Sequence, residues 1–268
     1  MKIELKNEME TLIIPLYGKA KMSQIGIFDD PYAEEMIEKI NYNYSKLKIQ
    51  QKTQVMLAMR AAILDNFSQD FISKNQGCTV LHLGCGLDAR FMRLNPRVET
   101  WYDLDFPEVI EIKKKLLPEN ERYKYISSSV TDSSWIASIP EISAEVLVIA
   151  EGLLMYLTED EIKNLFISLK SKFYSLTIIF DAYSKLTARS AKNHPSLKQT
   201  GAEIKWGIDK PREIESFADG IKHLKTIYLT DPEATKNLPR SYRIMFNIAG
   251  IFKSAREAHR VFVMSIDN

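Results

Sequence analysis

Gly84-Cys85-Gly86 and two aspartates downstream are the residues of this chain best spaced to do chemistry. Thr79–Leu83 is a short apolar run of the kind buried in a parallel sheet, and it ends directly in the glycine pair. Glycine lets a chain turn sharply and brings backbone N–H groups close to a ligand. A strand, a glycine turn and a helix start ask for an acidic residue about 20 positions on, where a carboxylate can hold the hydroxyls of a ribose. Asp103 follows Gly84 by 19 positions and Asp105 by 21. Asp105 is favoured because it lies at the carboxyl end of its strand, where open sheets bind ligands. Gly84 to Ala89 also fits G-x-G-x-x-A, so the turn indicates an adenosine-containing cofactor without choosing between NAD and S-adenosylmethionine.

The rest of the composition makes this turn conspicuous. The 268 residues hold 10 glycines and 2 cysteines, and Gly77, Cys78, Gly84, Cys85 and Gly86 fall within one stretch of ten. Two cysteines do not make a zinc site or a disulfide framework, so no metal is expected and a reducing, cytoplasmic compartment is. A hydrophobic content of 45% with a net charge of +1 describes a globular chain rather than a disordered one. It gives no bulk attraction to nucleic acid or acidic membranes. MKIELKNEME lacks the apolar core of a signal peptide. The charge-free run Ile244 to Phe252 is too short to span a bilayer. No oligomeric state is legible.

The elements that must position the turn follow from periodicity. Residues 1–76 read as a helical cap, with Asp29-Asp30-Pro31 as a helix start, apolar Ala33, Met36, Ile37 and Ile40 behind it, and a second helix over 51–72. Residues 77–268 read as the cofactor-binding core. Strands are expected at 79–83, 100–104, 123–127, 146–150, 176–180, 223–229 and 260–266, with helices at 107–117, 158–169 and 242–252. Alternating strands and helices build a parallel sheet covered on both faces. Seven strands with a late last one predict a doubly wound α/β sheet whose final strand is inserted. Residues 184–212 break the rhythm and read as a lid-like insertion carrying His194, Pro195, Lys198, Gly201, Glu203, Lys205 and Trp206. The long helical start and the inserted last strand favour a methyltransferase sheet over a dinucleotide-binding one.

LHLGCGLDARFMRL, WYDLDFPEV, SSSVTDSSW and AEGLLMYL occur in this order. With TLIIPLYGKA and VMLAMRAAILD before them, they resemble the S-adenosylmethionine-dependent methyltransferases that include leucine carboxyl methyltransferases and polyketide O-methyltransferases. The resemblance runs from about Thr11 to Asp181 and more weakly beyond. It implies a class I methyltransferase fold with the last strand antiparallel, S-adenosylmethionine as cofactor and a small-molecule methyl acceptor. By position, Gly84 and Gly86 match the family's glycine turn and Asp105 the acid that holds the ribose. Ser129, Val130 and Asp132 sit where the family contacts adenine, and Glu151 matches the acid that faces the methionine amino group. Arg60 matches the arginine that pairs with the cofactor carboxylate, and Lys21 a basic residue of the N-terminal arm. Two departures stand out. Many members have Asp-Leu where this chain has Ser129-Val130, and threonine where it has Ala89.

Each residue also has a plainer reading. Arg60 borders an apolar stripe of Val55, Met56, Met59, Ala62, Ile63 and Phe67, and could simply snorkel over it. Glu151 follows a buried strand, where a carboxylate needs a partner: a cofactor ammonium or a nearby cation. Asp181 either contacts substrate or caps the next segment. His82 and Cys85 read as core residues, Met155 and Tyr156 as core or pocket wall, and the lysines 113–115 as a solvated helix face. No Asp–His or Lys–Glu constellation identifies a general base, so no catalytic residue is named. A carboxylate acceptor needs none; a hydroxyl does. The expected reaction is O-methylation of a small molecule. Competing with it are an NAD-dependent oxidoreductase, a protein carboxyl methyltransferase and a non-catalytic cofactor-binding homologue.

Overall fold

Strands buried at every position need cover on both faces, and the two of this kind, Thr79–Leu83 and Val146–Ala150, pair side by side in the middle of a sheet. The computed structural model describes residues 3–4, 10–47, 49–142, 144–191 and 203–268. Its main sheet has seven strands: β1 (Thr79–Leu83), β2 (Thr100–Asp105), β3 (Tyr123–Ser127), β4 (Val146–Ala150), β5 (Ser175–Tyr183), β6 (Ile221–Tyr228) and β7 (His259–Asp267). They lie in the order β3-β2-β1-β4-β5-β7-β6. The first five are parallel, and β7 runs antiparallel between β5 and β6. The chain order reverses between β1 and β4, the switch point at which open α/β sheets bind ligands. Because β7 is reversed, its first residue, His259, lies opposite Tyr183 at the carboxyl end of β5.

Three helices precede the sheet: α1 (Glu10–Gln24), α2 (Pro31–Lys39) and α3 (Gln51–Lys74). Asp30 caps α2 by accepting from the Ala33 N–H at 3.0 Å, with Pro31 in the first turn. These helices are not an appendage. Ile13, Leu16, Val55 and Leu64 share one hydrophobic cluster with Val80, Leu147 and Val263 of the sheet. The alternate strand residues Leu81, Val148 and Ile178 face the opposite cluster, with Phe166 and Leu169 of α7 (Glu159–Lys172). Between the sheet strands run α4 (Arg90–Leu94), α5 (Pro107–Leu116) and α6 (Ser134–Ser138). Ala89 is the cap position of α4 and makes no side-chain cap bond.

Two expectations need correction. Lys113 is not on a solvated face. Its side chain is fully buried and sits 2.7 Å from Asp103, while Lys114 and Lys115 are exposed. The buried face of α3 is rotated from the expected stripe: it includes Ala58, Arg60, Ala61, Leu64, Asp65 and Ser68, whereas Met56, Ala62 and Phe67 are only half-buried. The helix thus spends its inner face partly on charge. The insertion is anchored where its residues are described. It opens with α8 (Lys185–Ala191), and its return limb buries Ile204, Trp206 and Ile208. The N–H groups of Lys205 and Trp206 donate to the Met155 carbonyl at 2.9 and 3.2 Å, and Ile208 N–H to Tyr183 at 2.8 Å. Trp206 is therefore a core anchor, while Glu203 and Lys205 are exposed. His194, Pro195, Lys198 and Gly201 lie outside the described residues.

Candidate active site

The turn after β1 adopts the geometry only glycine takes without strain. Gly84 has φ +58° and Gly86 φ +49°, both left-handed. A β-carbon on Gly84 would stand 2.8 Å from Leu153 Cδ1. The Cys85 N–H donates to the Leu104 carbonyl at 3.1 Å, tying the turn to β2. The Gly86 N–H donates to Asp105 Oδ2 at 2.7 Å, and Asp105 Oδ1 accepts from the Phe106 N–H at 2.8 Å. Burial pushes the Asp105 carboxyl up, and those two N–H groups pull it partly back.

The two candidate aspartates have separate environments. Asp103 is enclosed by four groups: His82 Nδ1 at 3.0 Å, Trp101 Nε1 at 2.8 Å, Tyr123 Oη at 2.5 Å and Lys113 Nζ at 2.7 Å. Burial would raise its pKa, but the Lys113 ammonium and His82 outweigh it and hold the carboxyl far below the usual range. Asp105 stands at the carboxyl end of β2 beside the glycine turn. The loop after β3 reaches it through the Ser128 N–H, which donates to the Asp105 carbonyl at 3.0 Å. In that loop Ser129 Oγ bonds Thr131 Oγ1 at 2.8 Å, and the Val130 carbonyl accepts from Trp135 Nε1 at 3.3 Å. Asp132 is exposed and accepts from the Ser134 N–H at 3.0 Å, so its carboxylate serves a local turn.

Arg60 and Glu151, 91 positions apart, meet in a buried ion pair: Arg60 Nε donates to Glu151 Oε1 at 3.0 Å. Arg60 Nη1 also donates to Asp181 Oδ2 at 3.1 Å. Asp181 holds the backbone after β4 through the Gly152 N–H at 2.5 Å and stands 2.6 Å from His259 Nε2. Bracing the segment after β4 in this way is neither of the two roles expected for Asp181. Gly152 has φ +63°, and a β-carbon there would come within 3.1 Å of the Arg60 guanidinium, so the glycine lets the arginine lie against the chain. Burial would raise the pKa of Glu151, but Arg60 and Arg90 hold the carboxyl below its usual value.

Lys21 is not brought to this cluster. Its ammonium bonds Gln24 Oε1 at 2.9 Å on an exposed part of α1. Lys19, two residues earlier, is buried and lies 3.1 Å from Asp88 just past the glycine turn. Residues two apart project to different sides of a helix, and only the three-dimensional packing selects between them.

Sequence reasoning missed the residues that frame Glu151. Arg90 and Arg93, three apart on the short α4, are both buried and meet Asp65, Asp88, Asp30 and Glu151. The available signal was a helix with two arginines and no polar face left to expose them. His82, as expected, is a core histidine. Its Nε2 faces Arg90 Nη1 at 3.2 Å, and arginine can only donate. The Nδ1–H is therefore the group given to Asp103, and burial keeps the ring neutral by lowering its pKa. Cys85 is also inert, because burial pushes its thiol up.

This charge cluster sets an acid limit on stability. Asp88, Asp103, Glu151 and Asp181 all have folded-state pKa values lowered below ordinary carboxyl values. A depressed pKa stabilises above the unfolded value and is lost as pH falls through the folded one. Asp30 and Asp105 are shifted up and work the other way, but they are fewer. The melting temperature is expected to fall steadily as pH drops below about 4.5. Calorimetry from pH 7 to pH 3 checks this, and a flat profile would contradict it.

A seven-stranded sheet in this order with its last strand antiparallel, a glycine turn after β1 and a carboxylate ending β2 define an S-adenosylmethionine-dependent methyltransferase with the class I fold. The model of the leucine carboxyl methyltransferase family matches residues 16–170, more than half of the chain, and the protein belongs to that family. It is 34% identical over 223 residues to the tetracenomycin polyketide synthesis O-methyltransferase TcmP of Streptomyces glaucescens, covering 82% of each chain. It is 29% identical over 253 residues to the S-adenosyl-L-methionine-dependent methyltransferase dpfgK of Gibberella zeae, covering 85% of this chain and 84% of that one. Among solved structures, a duf574 family protein from Streptomyces avermitilis superposes with a TM-score of 0.58 at 12% identity over 93% of this chain and 97% of that one, a likeness of fold. An NAD-dependent oxidoreductase, the dinucleotide reading of G-x-G-x-x-A, finds no support in these matches. No helix among the described residues is long and apolar enough to cross a membrane.

Proposed function

We propose that the protein transfers the methyl group of S-adenosylmethionine to an oxygen, hydroxyl or carboxyl, of a small molecule. The observation that carries this reading is the buried Arg60–Glu151 pair at 3.0 Å. The amino-acid end of S-adenosylmethionine is a zwitterion. A buried arginine and a buried glutamate side by side offer each of its charges an opposite one, so neither enters the protein unpaired. Asp105 at the end of β2 suits a ribose diol, and the left-handed glycines keep the backbone clear of side chains there. Ser129 and Val130, in the loop tied to Asp105, suit the adenine end. Asp132 contributes through its exposed local turn rather than through a buried carboxylate, and Lys19 replaces Lys21 as the basic residue of α1 near the turn.

When bound, the cofactor supplies the electrophilic methyl group. The chain's own work is to align that methyl group with the acceptor oxygen and to exclude water. The return limb of the insertion, held to the Met155 carbonyl, covers the segment after β4. A carboxylate acceptor arrives ionised. A hydroxyl acceptor needs a general base, and the Asp181–His259 pair at 2.6 Å is an Asp–His constellation that the fold assembles at the end of β5. The oxygen acceptor is supported by TcmP, a polyketide O-methyltransferase by name.

Calorimetric titration tests the cofactor half: S-adenosylhomocysteine binds and NAD does not. The acceptor half is tested by isotope transfer from methyl-labelled S-adenosylmethionine to matched aromatic alcohols and acids. A labelled ether or ester supports the reading; label appearing only on nitrogen or carbon acceptors contradicts it.

A further inference from the structure

The guanidinium of Arg90 is anchored at every nitrogen. Nε donates to Asp65 Oδ1 on α3 at 2.6 Å, Nη1 to His82 Nε2 on β1 at 3.2 Å, and Nη2 to Glu151 Oε2, with Asp88 Oδ2 at 3.4 Å. The side chain has no exposure. Its partners lie on three different parts of the fold, so the fork cannot swing without breaking bonds to a helix, a strand and a turn.

Glu151 divides its two oxygens between two arginines. Oε1 takes Arg60 and Oε2 takes Arg90. The two holds differ. Arg60 also serves Asp181, and in the proposed function it is the charge offered to the cofactor carboxylate. Arg90 makes all its bonds inside the protein, so its hold does not depend on Arg60. We propose that Arg90 is a positioning residue for the amino-acid end of the cofactor: it holds the Glu151 carboxylate in place through Oε2, so that Oε1 stays aimed at the cofactor ammonium when Arg60 engages the cofactor carboxylate. This rests on the assignment of Glu151 to that ammonium. A carboxylate held in place before binding loses no freedom on binding, and affinity gains by that amount. Lysine in place of Arg90 keeps a charge but presents one nitrogen rather than a planar fork, and so cannot hold Asp65, His82 and Glu151 together.

The test is calorimetric binding of two ligands: S-adenosylhomocysteine, and its analogue with the α-amino group replaced by hydrogen. The proteins are wild type, Arg90→Lys, Glu151→Gln and the double variant. Arg90→Lys is expected to weaken S-adenosylhomocysteine about tenfold or more, the equivalent of about 1.4 kcal/mol. The analogue should change less than about twofold, because it has no ammonium to lose. In the Glu151→Gln background, Arg90→Lys should add nothing for S-adenosylhomocysteine. Equal weakening of both ligands would mark Arg90 as a general structural residue and overturn the proposal, as would an unchanged affinity. Wild-type affinity in Glu151→Gln would instead remove the assignment of Glu151 itself. If Arg90→Lys does not fold, Asp65→Asn frees the Nε end of the same guanidinium and should show the same ligand selectivity at smaller size; its absence there would equally overturn the proposal.

Discussion

Arg60→Met is expected to raise the dissociation constant for S-adenosylhomocysteine about a hundredfold and to lower the melting temperature by about 6–20 °C. Both effects come from one deletion. The guanidinium lies between Glu151 at 3.0 Å and Asp181 at 3.1 Å, and both carboxylates are buried. Methionine fills the volume and removes the cation, so two buried anions lose a shared partner. Breaking a buried pair from one side costs about 3–5 kcal/mol, and in a chain of this size each kcal/mol moves the melting temperature by about 2–4 °C. The affinity loss is separate. A forked, charge-assisted contact to the cofactor carboxylate contributes about 3 kcal/mol, which is about a hundredfold. Thermal unfolding and calorimetric titration read the two. A variant that melts with the wild type would mean that Glu151 and Asp181 find other partners. Unchanged affinity would remove Arg60 from the cofactor site.

Asp103→Asn tests a place where no ligand contact is expected. Lys113 has no exposed side-chain surface and lies 2.7 Å from the Asp103 carboxylate. The amide leaves that ammonium buried without a counter-charge, at a cost of about 3–5 kcal/mol. The melting temperature should fall by about 6–20 °C. Replacing the lysine as well, in Asp103→Asn/Lys113→Met, should recover most of the loss, because a neutral pair no longer strands a charge. Differential scanning calorimetry of the single and double variants decides it. A double variant less stable than Asp103→Asn would show that Lys113 stabilises through something other than its charge partner. In either variant, binding of S-adenosylhomocysteine to the folded protein should change far less than in Arg60→Met.

Much of the fold was legible because it depends on nearest neighbours. Thr79–Leu83, Tyr123–Ser127 and Val146–Ala150 form strands at the residues expected, since a short run rich in aliphatic or aromatic residues and flanked by turn residues favours a strand. The glycine turn was legible for the same reason: a left-handed backbone leaves its mark as glycine at the positions that need it. The late, inserted last strand was legible as a rhythm of elements, and its antiparallel direction only through the family resemblance.

The charged residues were legible only by type. Lys113 looked like its neighbours Lys114 and Lys115, because a run of three lysines carries no sign of which one points inward. Lys19 and Lys21 were likewise interchangeable by composition, and the packing of α1 against the glycine turn selects Lys19. Arg90 sat in plain view one turn after the glycines, yet its partners Asp65 and Glu151 are 25 and 61 positions away.

The sequence alone determined the sheet, the glycine turn and the family, since these rest on local backbone preference and on short motifs. Tertiary structure decided which charge meets which: Arg60 with Glu151 and Asp181, Asp181 with His259, and Asp103 rather than Asp105 with Lys113. The reason is physical. A hydrophobic residue needs only to be buried, and periodicity records that. A buried charge needs a particular opposite charge within a few ångströms, and that distance exists only once strands from opposite ends of the chain lie side by side.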